Sequence, residues 1–177
     1  MFTFFLKIAQ IKQVAMAICV TAVFWMRVPV ALSDDLHACR YLEKQEIERV
    51  VGVSVREIET HPANPMGQNI CFYHLAGSGD TGFVQLQMIR TAWAKQAGKK
   101  WTAASLFHNN MSFLDGLETI KGTGEKALWG GAGLKMGAGL HVLFRDTYFT
   151  ILAKPADPSK SLDMSRSLAL IVINKIK

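Results

Sequence analysis

The chain has 177 residues, is 50% hydrophobic and carries a formal net charge of +6. Its first 33 residues hold three of the 20 basic residues and none of the 14 acidic ones, so the other 144 residues carry only +3. So small an excess of positive charge argues against a nucleic-acid partner. A length of 144 residues is enough for one domain with one hydrophobic core.

The N-terminal segment has the three parts of a signal peptide. Lys7 and Lys12 precede an apolar run over residues 14–26, and small residues precede a plausible cleavage site after Ser33. The apolar run is shorter than the roughly 20 residues that a membrane-spanning helix needs. We therefore predict a signal peptide over residues 1–33.

The mature protein would then be one domain over residues 34–177, periplasmic or secreted. Arg27 within the apolar zone and the long segment before that zone speak against cleavage. The alternative is an inner-membrane anchor formed by residues 14–32. The protein would meet the membrane only in that case.

Two cysteines, Cys39 and Cys71, remain once Cys19 leaves with the signal peptide. Four roles for Cys39 were weighed: lipid attachment, metal binding, nucleophilic catalysis and a disulfide. The acidic and histidine residues within 34–38 break a lipid-attachment signal, and no C-x-x-C pattern with paired histidines indicates a metal site. An even number of cysteines in an oxidising compartment favours a disulfide between the two.

The first half of the domain predicts a helix followed by three strands. Residues 43–51 repeat apolar side chains at helical spacing and stop at Gly52. Residues 83–90 alternate apolar side chains with glutamines, which is typical of a half-buried antiparallel strand. Strands are also predicted at residues 53–59 and 70–75.

The second half predicts further helices and a second group of strands. Residues 91–111 have helical spacing interrupted at Gly98, and Asp157-Pro158 starts a helix that runs towards the C-terminus. Strands are predicted at residues 117–121, 126–129, 141–144 and 147–153. Because most strands follow one another as hairpins, we predict an α+β domain: a single antiparallel sheet with helices packed on one face.

Two glycine-rich stretches raise the possibility of a phosphate-binding loop. Gly122-Thr-Gly124 and the tract 130–139 stand between strands, whereas a phosphate loop joins a strand to a helix and ends in Gly-Lys-Ser/Thr. Turns between adjacent strands explain them better. The second tract also predicts a mobile rim around a binding surface, formed by Trp129, Gly130, Gly131, Gly133 and Lys135.

The other polar residues do not define a catalytic site. No two of the five histidines have the i, i+4 spacing of a helical metal site, and we predict neither metal nor cofactor. Glu118, Glu125 and Asp146 cannot be paired from the sequence, so a carboxylate pair stays open. No catalytic residue is therefore predicted.

Four short motifs occur in order along the chain: Cys39-Arg-Tyr-Leu-Glu-Lys-Gln-Glu-Ile47, Val50-Val51-Gly52, Cys71-Phe-Tyr73 and Gly122-Thr-Gly124-Glu-Lys-Ala127. This order resembles a group of exported bacterial domains of unknown function, best known as actinobacterial lipoproteins and sensor-like extracellular domains. The resemblance implies a Cys39–Cys71 disulfide and an antiparallel sheet backed by helices, but no shared catalytic residues. Glu43 and Glu125 depart from the threonine and aspartate of the group's pattern, and its lipid-attachment signal is missing.

We therefore expect an exported, non-enzymatic binding domain. Its partner would be an envelope protein, a small molecule or a cell-wall ligand. One alternative is a small periplasmic enzyme of hydrolase type, which two facing carboxylates or a free Cys71 beside a histidine would favour. The other is a structural or inhibitory partner of an envelope complex, which a large exposed apolar patch would favour.

Overall fold

The computed structural model describes residues 37–61, 63–65, 67–77, 82–131 and 138–176. The predicted signal peptide, residues 1–33, lies outside these ranges. Among the described residues, none of the helices is long and apolar enough to cross a membrane.

A seven-stranded, fully antiparallel sheet forms the centre of the domain, with the spatial order β1-β2-β3-β7-β6-β5-β4. The last hairpin thus lies beside β3, in the middle of the sheet. The strands are β1 (Val55–His61), β2 (Asn69–Leu75), β3 (Phe83–Arg90), β4 (Glu118–Thr119), β5 (Lys126–Gly130), β6 (Gly139–Phe144) and β7 (Thr147–Lys154). The helices are α1 (Lys44–Val51), α2 (Thr91–Gln96), α3 (Ala103–Met111) and α4 (Ser161–Ile176), and short 3₁₀ turns cover Ala38–Tyr41 and Pro158–Lys160.

The main core lies on one face of the sheet, under α1 and α4. Alternate residues of the central strands point into it, as the sequence pattern of β2 and β3 predicts. Ile47 of α1 and Leu168 and Val172 of α4 are fully buried in the same cluster. The largest fully buried side chains of this core are Tyr73, Phe149, Leu42, Ile47, Leu75, Leu86, Met88, Leu140, Ile151, Leu168 and Val84.

A second, smaller core lies on the opposite face, under α3. The ring of Phe107 meets the ring of Tyr148 edge-on, with centroids 5.4 Å apart, and Ile89 and Leu143 complete the contact. Because α3 contacts β6 and β7, it leaves β3 half-exposed at Gln85 and Gln87 on this face. The predicted α+β class is confirmed, and α3 adds a helix on the face away from the main core.

A disulfide between Cys39 and Cys71 ties the 3₁₀ turn at Ala38–Tyr41 to β2, as predicted. Their Cα atoms are 5.1 Å apart and 32 residues apart in sequence, and Cys71 is fully buried. The hydroxyl of buried Tyr73 donates a hydrogen bond to the backbone carbonyl of Leu42, the residue that follows this 3₁₀ turn. Burial, with the nearby Glu46 carboxylate, raises the pKa of Tyr73 well above its usual value.

The ends of the helices follow the sequence signals. Gly52 closes α1 in the left-handed conformation, at φ 78°. The carboxylate of Glu46 accepts a hydrogen bond from the backbone N–H of Glu43, 2.8 Å away, and this bond is one half of a capping box at the start of α1. Asp157 accepts from the backbone N–H of Ser159 at 3.1 Å and thereby caps the 3₁₀ turn that leads into α4.

The Gly122-Thr-Gly124 stretch is a turn between β4 and β5, which pair with each other antiparallel. Gly124 has φ 67° and packs against β6: a Cβ there would lie 2.7 Å from Val142 Cγ1 and 2.8 Å from the Leu143 carbonyl oxygen. Only glycine fits this close approach. The turn interpretation of this stretch therefore agrees with the structure.

Candidate functional site

The structure describes three of the five residues of the predicted glycine-rich rim. Trp129 is half-buried against the main core, on the face of the sheet away from α3. Gly130 and Gly131 have positive φ values of 134° and 56° and turn the chain towards the α3 side. Gly133 and Lys135 lie outside the described residues. Of the rim residues that the structure describes, Gly131 lines a groove and Trp129 does not, and the rim as a whole stays a prediction.

This groove, which we call the β3–β7 groove, has a volume of about 550 Å³ and lies on the sheet face beside the C-terminal end of α3. Its floor is formed by β3, β6 and β7, and one wall by the chain that follows α3. The described lining residues are Gln85, Gln87, Asn110, Phe113, Leu114, Gly131, His141, Tyr148, Thr150 and Leu152. A smaller cavity of about 350 Å³ lies at the Gly122-Thr-Gly124 turn. The β3–β7 groove differs from it in combining a buried polar network with half-exposed glutamine amides.

The polar network is formed by His141 on β6 and by Tyr148 and Thr150 on β7. His141 pairs with Thr150 across the two strands. The Nδ1 atom of His141 lies 3.0 Å from the Tyr148 hydroxyl and 3.2 Å from the Thr150 hydroxyl. These three residues are 7%, 4% and 9% exposed, so the protein surrounds the network on all but the groove side.

The contacts of His141 define where its proton lies. Its Nε2 atom is 3.3 Å from the carbonyl oxygen of Gly130, and a carbonyl can only accept, so Nε2 carries the hydrogen. Burial lowers the pKa of His141, although the Gly130 contact opposes this. The ring is therefore neutral near pH 7, and Nδ1 accepts a hydrogen bond from a hydroxyl of β7. Both ring nitrogens are held by protein atoms.

Two carboxamides stand open beside this network. Gln85 and Gln87 are neighbours on the same face of β3, opposite Leu152 and Thr150 of β7. Both are half-exposed. Within the described part of the chain, neither side chain makes a hydrogen bond. Each amide therefore offers a carbonyl acceptor and an NH₂ donor to the groove.

An apolar lip borders the groove on the α3 side. Phe113, just after α3, is 77% exposed, which is unusual for a phenylalanine. Leu114 packs over Gly131, where an added Cβ would lie only 2.7 Å from Leu114 Cδ1. Asn110 joins the lip to the network, because its Nδ2 atom lies 3.5 Å from the Tyr148 hydroxyl.

The remaining histidines lie elsewhere. Glu59 on β1 lies 3.1 Å from His61 and 3.5 Å from His74, and His108 is 3.2 Å from Lys126. No group of three or more histidine, cysteine, aspartate or glutamate residues in the described ranges is arranged to hold a metal ion.

Sequence reasoning missed the polar network. The sequence pattern places His141 in the predicted strand 141–144 and makes the glutamines of β3 the polar side of a half-buried strand. The available signal was the run of polar residues at alternate positions of two strands, which places Gln85, Gln87, Tyr148 and Thr150 on the side away from the core. That signal does not show that the two strands are neighbours.

Compared with known proteins, the chain matches no protein-family model, and no curated protein is significantly similar to it. The resemblance to exported bacterial domains therefore stays a prediction.

Proposed function

We propose that this protein is an exported domain that binds a small ligand in the β3–β7 groove without transforming it. The observation that carries the proposal is the buried His141–Tyr148–Thr150 network directly beside the open amides of Gln85 and Gln87. Small-molecule sites are usually pre-formed clefts that combine apolar side chains with a few placed polar groups, and the groove has both.

Export is supported by the disulfide and by the predicted signal peptide. Disulfides persist in oxidising compartments and are rare in the cytosol of most organisms. The bond between Cys39 and Cys71 is part of the fold, since Cys71 is fully buried among core side chains.

Recognition is favoured over catalysis by the state of the reactive groups. The Nδ1 atom of His141 already accepts a hydrogen bond from a hydroxyl of β7, and Nε2 contacts the Gly130 carbonyl, so a ligand proton reaches this ring only by displacing one of these contacts. Cys71 is bonded to Cys39, so it offers no thiolate. The described lining of the groove contains no carboxylate.

Export can be tested by intact-mass analysis of the protein produced from the full chain in an exporting host. We expect an N-terminus after Ser33 and a mass two hydrogens below that of the reduced form. Full-length protein in which Cys39 and Cys71 are both free thiols, recovered from the cytoplasm, would refute export.

Binding can be tested with the same protein by thermal shift and by amide NMR, against a library of cell-envelope fragments and small metabolites. We expect ligands to perturb the amides of β3 and β7. The double variant Gln85→Ala/Gln87→Ala should lose this response, and the matched control Gln45→Ala/Gln96→Ala, which changes two exposed glutamines on α1 and α2, should keep it. Hits that leave β3 and β7 unperturbed, or that are chemically converted, would refute the proposal.

A further inference from the structure

The β3–β7 groove also indicates the class of its ligand, an inference that rests on the proposed binding function. The donors of its buried network are already used. Nδ1 of His141 has a single lone pair, so only one of the two hydroxyls, that of Tyr148 or that of Thr150, donates a hydrogen bond to it. The hydrogen of the remaining hydroxyl is used in the 3.4 Å contact between the two hydroxyls. The polar groups left for a ligand are therefore mainly the amides of Gln85 and Gln87.

The described lining of the groove carries no charge. It contains no aspartate, glutamate, lysine or arginine, and His141 is neutral. A charged ligand group would lose part of its hydration there and gain no opposite charge from the described lining residues, which is costly. A neutral ligand with hydroxyl or amide groups faces no such cost.

The amides are suited to hydroxyl groups in particular. A hydroxyl both donates and accepts, and each glutamine side chain offers one acceptor and two donor hydrogens. Gln85 and Gln87 are two residues apart, so they present this pair of functions twice, about 7 Å apart along the strand. This repeat fits a ligand whose polar groups also repeat.

An extended peptide fits this face less well. Peptides that add to sheets use the free main-chain groups of an edge strand. The main chains of β3 and β7 are paired on both sides, with β2, β6 and each other. On this face of β3 and β7, a ligand can therefore be bound only by side chains.

The lip supplies the apolar half of the contact. The exposed ring of Phe113 and the side chains of Leu114 and Leu152 border the amides, and they can cover the C–H face of a sugar ring or the methyl group of an acetamide. A volume of about 550 Å³ lies within the roughly 300–1,000 Å³ of small-molecule sites.

We propose that the β3–β7 groove binds a neutral, N-acetylated oligosaccharide through the amides of Gln85 and Gln87, with Phe113 against the sugar.

The test compares three trisaccharides by calorimetry and amide NMR on the exported protein. Tri-N-acetylglucosamine is neutral, its de-N-acetylated form has the same backbone with three ammonium groups, and trigalacturonic acid has three carboxylates. We expect the neutral sugar to bind at least tenfold more tightly than either charged one and to shift the amides around Gln85 and Gln87.

Two variants sharpen the test. Gln85→Ala/Gln87→Ala should weaken binding of the neutral sugar at least tenfold, while the control Gln45→Ala/Gln96→Ala leaves it unchanged. Gln87→Glu should weaken the neutral sugar and strengthen the ammonium sugar, because it adds a negative charge to the groove. Thermal unfolding of each variant shows whether its fold is kept.

The outcomes separate this inference from the proposed function. If a charged sugar binds the groove as tightly as the neutral one, or if the neutral sugar binds equally well to the Gln85→Ala/Gln87→Ala variant, the ligand class is wrong. If no trisaccharide perturbs β3 and β7 but another small molecule does, the ligand class is again wrong and the binding function stands. If neither the trisaccharides nor the wider library perturbs them, both fail.

Discussion

Removing the Cys39–Cys71 disulfide should lower the free energy of unfolding by about 4–5 kcal/mol. The bond closes a loop with a sequence separation of 32 residues, and chain entropy assigns such a loop about 3.7 kcal/mol at 25 °C. Replacing both cysteines by alanine also removes buried sulfur atoms, which adds up to about 1 kcal/mol of lost packing. The total is about a quarter or more of the roughly 5–15 kcal/mol that stabilises a typical domain.

Urea unfolding of the wild type and of the Cys39→Ala/Cys71→Ala variant, followed by circular dichroism, measures this loss. We expect the variant to fold but to melt roughly 10–15 °C lower. Its unfolding free energy should also depend more steeply on urea, because an unfolded chain without the cross-link exposes more surface.

Reduced wild-type protein separates the two contributions, since it loses the cross-link and keeps both sulfur atoms. It should lie within about 1 kcal/mol of the alanine variant. A loss below about 1 kcal/mol in both proteins would show that the segment before α1 is held without the bond, for example by the Tyr73–Leu42 hydrogen bond alone. The loop-closure reasoning would then be wrong for this chain.

Three further changes test other parts of the structure, all by urea unfolding. Tyr73→Phe should cost about 1–2 kcal/mol, because it leaves the buried Leu42 carbonyl unpaired; no loss would mean that water reaches this carbonyl. The folded-state pKa of His141 is lowered, so its stabilising effect is complete above about pH 6.5 and is lost as the pH falls, when the unfolded chain binds the proton more readily. Wild-type stability should therefore fall as the pH is lowered below about 6.5, and the stability of His141→Gln should fall less; equal slopes would show that this histidine is not buried in neutral form. Gly124→Ala should cost more than about 3 kcal/mol through its clash with β6, whereas Gly122→Ala, with the same left-handed backbone and its nearest neighbour at 3.5 Å, should cost about 1–2 kcal/mol; equal costs would contradict the close packing at this turn.

The sequence by itself determined the local elements and the disulfide partners. The alternation of residues 83–90 predicts β3 with the bounds observed, and Gly52 and Asp157 mark helix ends because their backbone preferences act within a few residues. The pairing of Cys39 with Cys71 followed from the count of cysteines in an oxidising compartment. These signals come from residues close together in the sequence or from the number of cysteines, so they need no knowledge of the fold.

Only the tertiary structure decided the order of the strands and therefore the site. The strand β7 inserts between β3 and β6, and this long-range pairing sets Thr150 beside Gln87 on one side and His141 on the other. Periodicity also predicts which side of α3 is apolar, but not which face of the sheet it covers. Because Phe107 packs on Tyr148, away from the main core, a lip forms over polar strand residues, and an ordinary half-buried sheet face becomes a groove.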